Sequence, residues 1–160
     1  MLREPEARDR AALVELFTSA EVGTYIGGPR SRAEFEPALG EVPERRPGLF
    51  VADLDGAMIG IVTLDRRDTE PPGPAAGRVE LAYLFLPQAW GRGYATEACA
   101  AALDWFAGVL PGEPVVITTQ TANTSSMRLA AKLGFTEVDR FQQYGAEQWF
   151  GVRSPAAPSG

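Results

Sequence analysis

The stretch Leu84–Ala98 (LFLPQAWGRGYATEA) gathers the residues whose spacing most directly suggests chemistry. An apolar run enters Pro87, Gly91-x-Gly93 follows, and a helix-forming segment begins around Tyr94. The first amides of a helix lack intrahelical acceptors, and the macrodipole adds roughly half a positive charge there. Glycines let a phosphate approach the main chain closely. The amides from Gly91 to Ala95 could thus cradle a pyrophosphate without a basic side chain. A plain tight strand-to-helix turn accounts for the same two glycines, and spacing alone leaves both readings open. A P-loop is excluded, because no Gly-Lys-Ser/Thr follows. A dinucleotide fingerprint asks for a small residue three beyond Gly93, where Thr96 stands. It also asks for an acid at the end of the next strand, and Thr118–Thr121 has none.

Composition narrows the chemistry further. The 160 residues contain no histidine, so Ser–His and Cys–His nucleophiles and imidazole metal sites are excluded. The single cysteine, Cys99, permits neither an internal disulfide nor a cysteine-rich zinc cluster. No metal site is expected, and catalysis would have to run on carboxylates, hydroxyls, phenols and backbone amides. A net charge of −6 disfavours nucleic acid as the main partner and sits more easily with cationic amines. Hydrophobic residues at 45% and charged ones at 22% match ordinary globular usage, which excludes disordered and fibrous classes. Apolar stretches such as Cys99–Leu103 are too short to span a bilayer, and MLREPEARDR is not a signal peptide. A soluble cytoplasmic protein is the expectation.

These residues need elements to position them. The pattern predicts a short first strand at Leu2–Glu4, then a helix from Pro5 to Ala20 with Leu13, Leu16, Phe17 and Ala20 on one face. Gly27-Gly28-Pro29 breaks the chain, and Ser31 with Glu34 reads as a capping box opening a helix toward Leu39. Leu49–Leu54 and Met58–Leu64 flank Asp55-Gly56, a strong hairpin signal. Arg66–Gly77 is rich in proline and reads as a loop, while Arg78–Leu86 is apolar enough for a central strand. A helix over Gly93–Leu110, a strand over Val115–Thr121 and a helix over Ser125–Leu133 follow, the last stopped by Gly134. Phe135–Phe141 and Glu147–Val152 close as a strand pair. The order gives a mixed α/β sheet with helices on both faces and two strand–helix–strand crossovers. One domain over residues 1–152 is expected, with a disordered tail over 153–160.

The segment Phe85–Ala95 resembles the signature of the GCN5-related N-acetyltransferases (GNAT), in which a strand ending in V-x-P precedes Q/R-x-x-G-x-G/A. Gln88-x-x-Gly91-x-Gly93 fits the letters, but counting from Pro87 sets the loop at Trp90-x-x-Gly93-x-Ala95. Tryptophan in place of the usual Gln or Arg, within WGxGYATEA, is typical of the RimJ/RimL-like branch. Asn123–Phe135 resembles that branch's N-x-x-S-x-R…K-L-G-F segment. With Phe17…Tyr25…Pro29, the similarity covers roughly residues 2–152.

The resemblance implies a mixed, mostly antiparallel sheet of about six to seven strands flanked by about four helices. It implies direct attack of a primary amine, a protein N-terminus or a small molecule, on acetyl-CoA. The loop residues Trp90, Gly91, Arg92, Gly93, Tyr94 and Ala95 would then hold the cofactor's pyrophosphate. Its pantetheine would pair with the main chain near Tyr83, Leu84 and Phe85, where an amide of Leu84 or Phe85 would polarise the thioester. Many relatives carry a tyrosine seven residues after the Asn as leaving-group acid, and here that position is Ala130. The branch instead implies Ser126 as that acid and Asn123 as a pantetheine contact, although helix capping explains both residues too. Glu80 is the candidate general base, with an ion pair at a strand edge as its other reading; Tyr83 and Glu137 are the remaining contenders. Cys99 and Glu97 read as structural. A sensor that binds acyl-CoA without catalysis is the alternative function, and a homodimer is the common assembly.

Overall fold

The computed structural model describes residues 1–25, 28–41, 43–67 and 77–155. Seven strands form one sheet: β1 (Leu2–Arg3), β2 (Leu49–Leu54), β3 (Ala57–Arg66), β4 (Val79–Phe85), β5 (Val115–Gln120), β6 (Thr136–Gln143) and β7 (Ala146–Arg153). Their spatial order is β1-β2-β3-β4-β5-β7-β6, antiparallel throughout except for the β4–β5 pair. The helices are α1 (Arg10–Thr18), α2 (Ala20–Gly23), α3 (Arg32–Ala38), α4 (Tyr94–Val109) and α5 (Thr124–Lys132). The mixed α/β class is as expected, with five α-helices among the described residues where about four were expected.

The Asp55-Gly56 turn behaves as its chemistry demands. Both residues take positive φ, 52° and 90°, which suits the right-handed twist of a two-residue hairpin. The Gly56 amide donates to Asp53 Oδ1 at 2.8 Å, fastening the turn to its own strand. β4 lies at the centre of the sheet, as its continuous apolar run requires.

Alternation along the strands feeds two cores. Val62, Leu64, Val79, Leu81 and Phe85 face one side and pack with Cys99, Ala102, Leu103 and Phe106 of α4 and with Leu129 and Ala130 of α5. Val51, Met58, Ile61 and Leu86 face the other and pack with Leu13 and Leu16 of α1 and Val22 of α2. Phe50 meets Trp105 edge-on at 5.0 Å, joining β2 to α4. Arg3 ties the start of the chain down: its two terminal nitrogens donate to both Asp9 oxygens at 2.8 Å, and its Nε donates to Asp53 at 2.6 Å.

Four expectations need correction. The helix predicted from Pro5 begins as a 3₁₀ turn at Ala7–Asp9, and Ser19 ends it by capping α2 through Val22 N–H. Ser31 does precede α3, but its side chain makes no cap bond; its carbonyl accepts from Glu34 and Phe35 instead. The second crossover skips a strand, because β7 inserts between β5 and β6. Arg153 belongs to β7 rather than to a tail, and its Nε donates to the Leu133 carbonyl at 3.0 Å. The loop predicted over Arg66–Gly77 and the end of the tail fall mostly outside the described residues.

Candidate active site

The site begins where two central strands part. β4 and β5 pair only at Val79–Val115 and Glu80–Val116. Beyond that rung β3 holds β4 as far as Phe85 and β7 holds β5 as far as Gln120, with nothing between them. A sheet opened in its middle exposes main-chain groups that an extended ligand can pair with, as an added strand would.

Register decides which groups those are. Arg67 N–H donates to Arg78 O at 2.8 Å and Leu86 N–H to Ile59 O at 2.9 Å, so the even-numbered residues between them spend their groups on β3. The amide of Leu84 is therefore used within the ladder. Tyr83 and Phe85 turn theirs to the gap, and the Phe85 carbonyl accepts the Trp90 indole N–H at 2.8 Å. Of the two amides expected to reach the thioester, those of Leu84 and Phe85, the register leaves only that of Phe85 free.

The loop after Pro87 supplies further donors. Trp90 N–H is taken by Pro87 O at 3.1 Å and Glu97 N–H by Gly93 O at 3.1 Å. From Gly91 to Thr96 the amides have no acceptor among the described residues, and no side chain caps α4. Gly91 and Gly93 stand at φ 76° and 81°, left-handed values that favour glycine, and a Cβ built on either meets no atom within 4 Å. The loop is thus an open cradle of unpaired donors on a sixteen-residue helix. Trp90 and Arg92 lie exposed beside it, whereas Tyr94 and Ala95 are half-buried.

On the α4 face of the gap, Tyr83 Oη lies 2.5 Å from Ser126 Oγ. This contact bridges β4 to the first turn of α5. Asn123 Oδ1 accepts the Ser126 amide at 3.2 Å, so the helix-cap reading of Asn123 is realised. Burial raises the Tyr83 phenol to about 12, although the serine partly offsets this, and it raises the neighbouring Cys99 thiol to about 12. Cys99 is a fully buried, unreactive core residue.

Glu80 sits on the opposite face, at the rung where the strands part. Thr118 Oγ1 donates to its Oε2 at 3.3 Å, and Arg67 Nε lies 3.7 Å from its Oε1. Burial pushes the carboxyl above its ordinary value, opposed by Arg67 and then by Thr118. The two predicted catalytic side chains, Glu80 and Ser126, are therefore kept on opposite sides of one opening rather than in contact. Glu137 is exposed and bound to Arg140 at 2.6 Å, which lowers its pKa and makes it a poor base. Sequence reading missed Thr118 and Arg67 as partners of Glu80, because both depend on register across separate strands. Among the described residues no cluster of metal ligands occurs, and no helix is long and apolar enough to cross a membrane.

Comparison with known proteins agrees with this geometry. The acetyltransferase (GNAT) domain family matches residues 1–136. The uncharacterized N-acetyltransferase YoaA of Bacillus subtilis is 25% identical over 153 residues, covering 90% of this chain and 83% of that protein. The GNAT-family acetyltransferase structure from Bacillus anthracis superposes with a TM-score of 0.78 at 20% identity, covering 96% of this chain and 93% of that one. The yncA structure from Salmonella typhimurium, solved with acetyl-CoA, gives 0.71 at 19% identity, with 99% and 97% covered. With the family match spanning most of its length, and a parted sheet leading into a helix of free amides, this chain belongs to the GNAT family of acetyltransferases.

Proposed function

We propose that the protein transfers the acetyl group of acetyl-CoA to a primary amine by direct attack within a ternary complex. One observation supports this above the others: main-chain groups left unpaired by the parting of β4 and β5 lead directly to the unpaired amides of Gly91–Thr96. The amides receive the pyrophosphate, with Trp90 and Arg92 beside them. The main-chain groups of Tyr83 pair with the pantetheine, and the Phe85 amide polarises the thioester carbonyl. Asn123 orders the turn that carries Ser126.

The amine approaches from the Glu80 face. Glu80 takes its proton, directly or through water, and burial makes that carboxylate a stronger base than an exposed one. Nitrogen bonds to the acetyl carbon, the carbon–sulfur bond breaks, and the Ser126 hydroxyl donates a hydrogen bond to the departing thiolate, which takes its proton from water, its free-thiol pKa being near ~8.5. Glu80 and Ser126 thus act from opposite faces, which keeps proton removal from the amine apart from the departing sulfur.

The Trp90-x-x-Gly93-x-Ala95 and Asn123–Phe135 segments support membership of the RimJ/RimL-like branch. The acidic net charge of −6 favours a cationic amine, and a cytoplasmic enzyme agrees with the free thiol of Cys99. A thermal-shift panel followed by a free-thiol release assay tests the reading. Stabilisation by acetyl-CoA and not NAD, with thiol release dependent on an amine, is expected. Stabilisation without thiol release from any amine would identify a sensor instead.

A further inference from the structure

We infer that Tyr83 is a positioning residue for the leaving-group donor: its phenol donates to Ser126 Oγ, so the serine's own hydrogen turns into the gap between β4 and β5. This rests on the proposed role of Ser126 and adds a residue to it. Among the described residues, each hydroxyl is the other's only partner, 2.5 Å apart. A helical serine commonly turns its hydroxyl onto a carbonyl one turn back. Ser126 makes no such bond, and the Ala122 carbonyl accepts the Thr124 amide instead. Two directions remain for the shared proton.

Chemistry selects between them. A phenol is the stronger donor and an aliphatic hydroxyl oxygen the better acceptor, so the favoured arrangement is Tyr83 O–H to Ser126 O. A hydroxyl that accepts one bond keeps a single hydrogen to give elsewhere. Ser126 is 9% exposed, and it lies where β4 and β5 no longer meet, so that hydrogen has the opening to point into. Without the phenol the serine would rotate freely, and on most occasions its hydrogen would not face the sulfur. The tyrosine thus supplies orientation and does not itself touch the reacting atoms.

The experiment is a double-mutant cycle of Tyr83→Phe and Ser126→Ala, with kcat, the KM for acetyl-CoA and thermal unfolding measured for each variant. Tyr83→Phe should lower kcat about 10-fold, less than the loss of a full acid–base group of about 10²-fold or more because the phenol only orients the donor, and leave that KM within about twofold. In the Ser126→Ala background the same substitution should change kcat by less than about twofold. Ser126→Thr, which keeps a hydroxyl, should retain dependence on Tyr83 and thus provide a second cycle if Ser126→Ala is unstable. Equal losses from Tyr83→Phe with and without the serine hydroxyl would overturn the inference and leave the role of Ser126 standing. A Ser126→Ala variant with unchanged kcat would overturn both.

Discussion

Glu80 and Val116 form the last rung that β4 and β5 share, and everything assigned to catalysis lies at or beyond it. At that rung the Glu80 side chain lies on the opposite side of the opening from Tyr83 and Ser126, and it is held there by Thr118 and Arg67. One divergence between strands therefore opens the slot proposed for the cofactor and sets Glu80 and Ser126 on its two sides.

Glu80→Gln should lower kcat/KM about 100-fold or more at neutral pH, the low end for loss of a general base. In the wild type, the acid limb of the rate profile should lie above the ordinary range for glutamate, because burial raises the carboxyl. Arg67 and Thr118 both oppose that rise, so Arg67→Ala and Thr118→Val should each move the limb to higher pH. Rate profiles of the three variants check the signs.

The same carboxyl predicts a stability trend. Its folded pKa lies above its unfolded one, so the folded state holds the proton more tightly. That contribution is present below the unfolded pKa and is lost as pH rises through the folded value. Glu80→Gln should flatten the decline, which thermal unfolding at mildly acidic and at neutral pH would register.

Asp9 has the opposite sign. Arg3 holds its carboxyl below the usual range, so its contribution is present above the unfolded pKa and is lost as pH falls through the lowered folded value. Asp9 is 2% exposed and also accepts the Glu6 amide. Asp9→Asn should cost about 1–3 kcal/mol, since Arg3 loses its bidentate partner but keeps Asp53. Denaturant unfolding measures the loss.

Gly93→Ala should raise the KM for acetyl-CoA while the protein stays folded. The left-handed backbone costs an alanine about 1–2 kcal/mol, and no atom of this chain obstructs its methyl group. A loss of affinity beyond that strain would have to arise against the ligand. Calorimetric titration with CoA, set beside a thermal melt, separates the two effects.

Much of this was legible in the residues, and for physical reasons. Asp55-Gly56, Pro87 and Gly134 punctuate the chain through local backbone chemistry, so the hairpin turn, the end of β4 and the end of α5 fell within a residue of where expected. Gly91 and Gly93 announced the cradle because left-handed φ and an open approach are both glycine's preserve. What failed depended on distant neighbours. The insertion of β7 beside β5 is a pairing choice that no local pattern records. Thr118 and Arg67 reach Glu80 only through register across three strands, and Tyr83 meets Ser126 across forty-three residues. The amide of Leu84 was eliminated by one-residue alternation in the β3–β4 ladder, which is set by the fold as a whole.

The most direct measurement is an amide chemical-shift titration of the protein with acetyl-CoA. The largest changes should fall on the N–H groups of Gly91–Ala95, with further changes at Tyr83 and Phe85 and little at Leu84. Saturable binding that leaves the Gly91–Ala95 amides unmoved would contradict the account at its foundation.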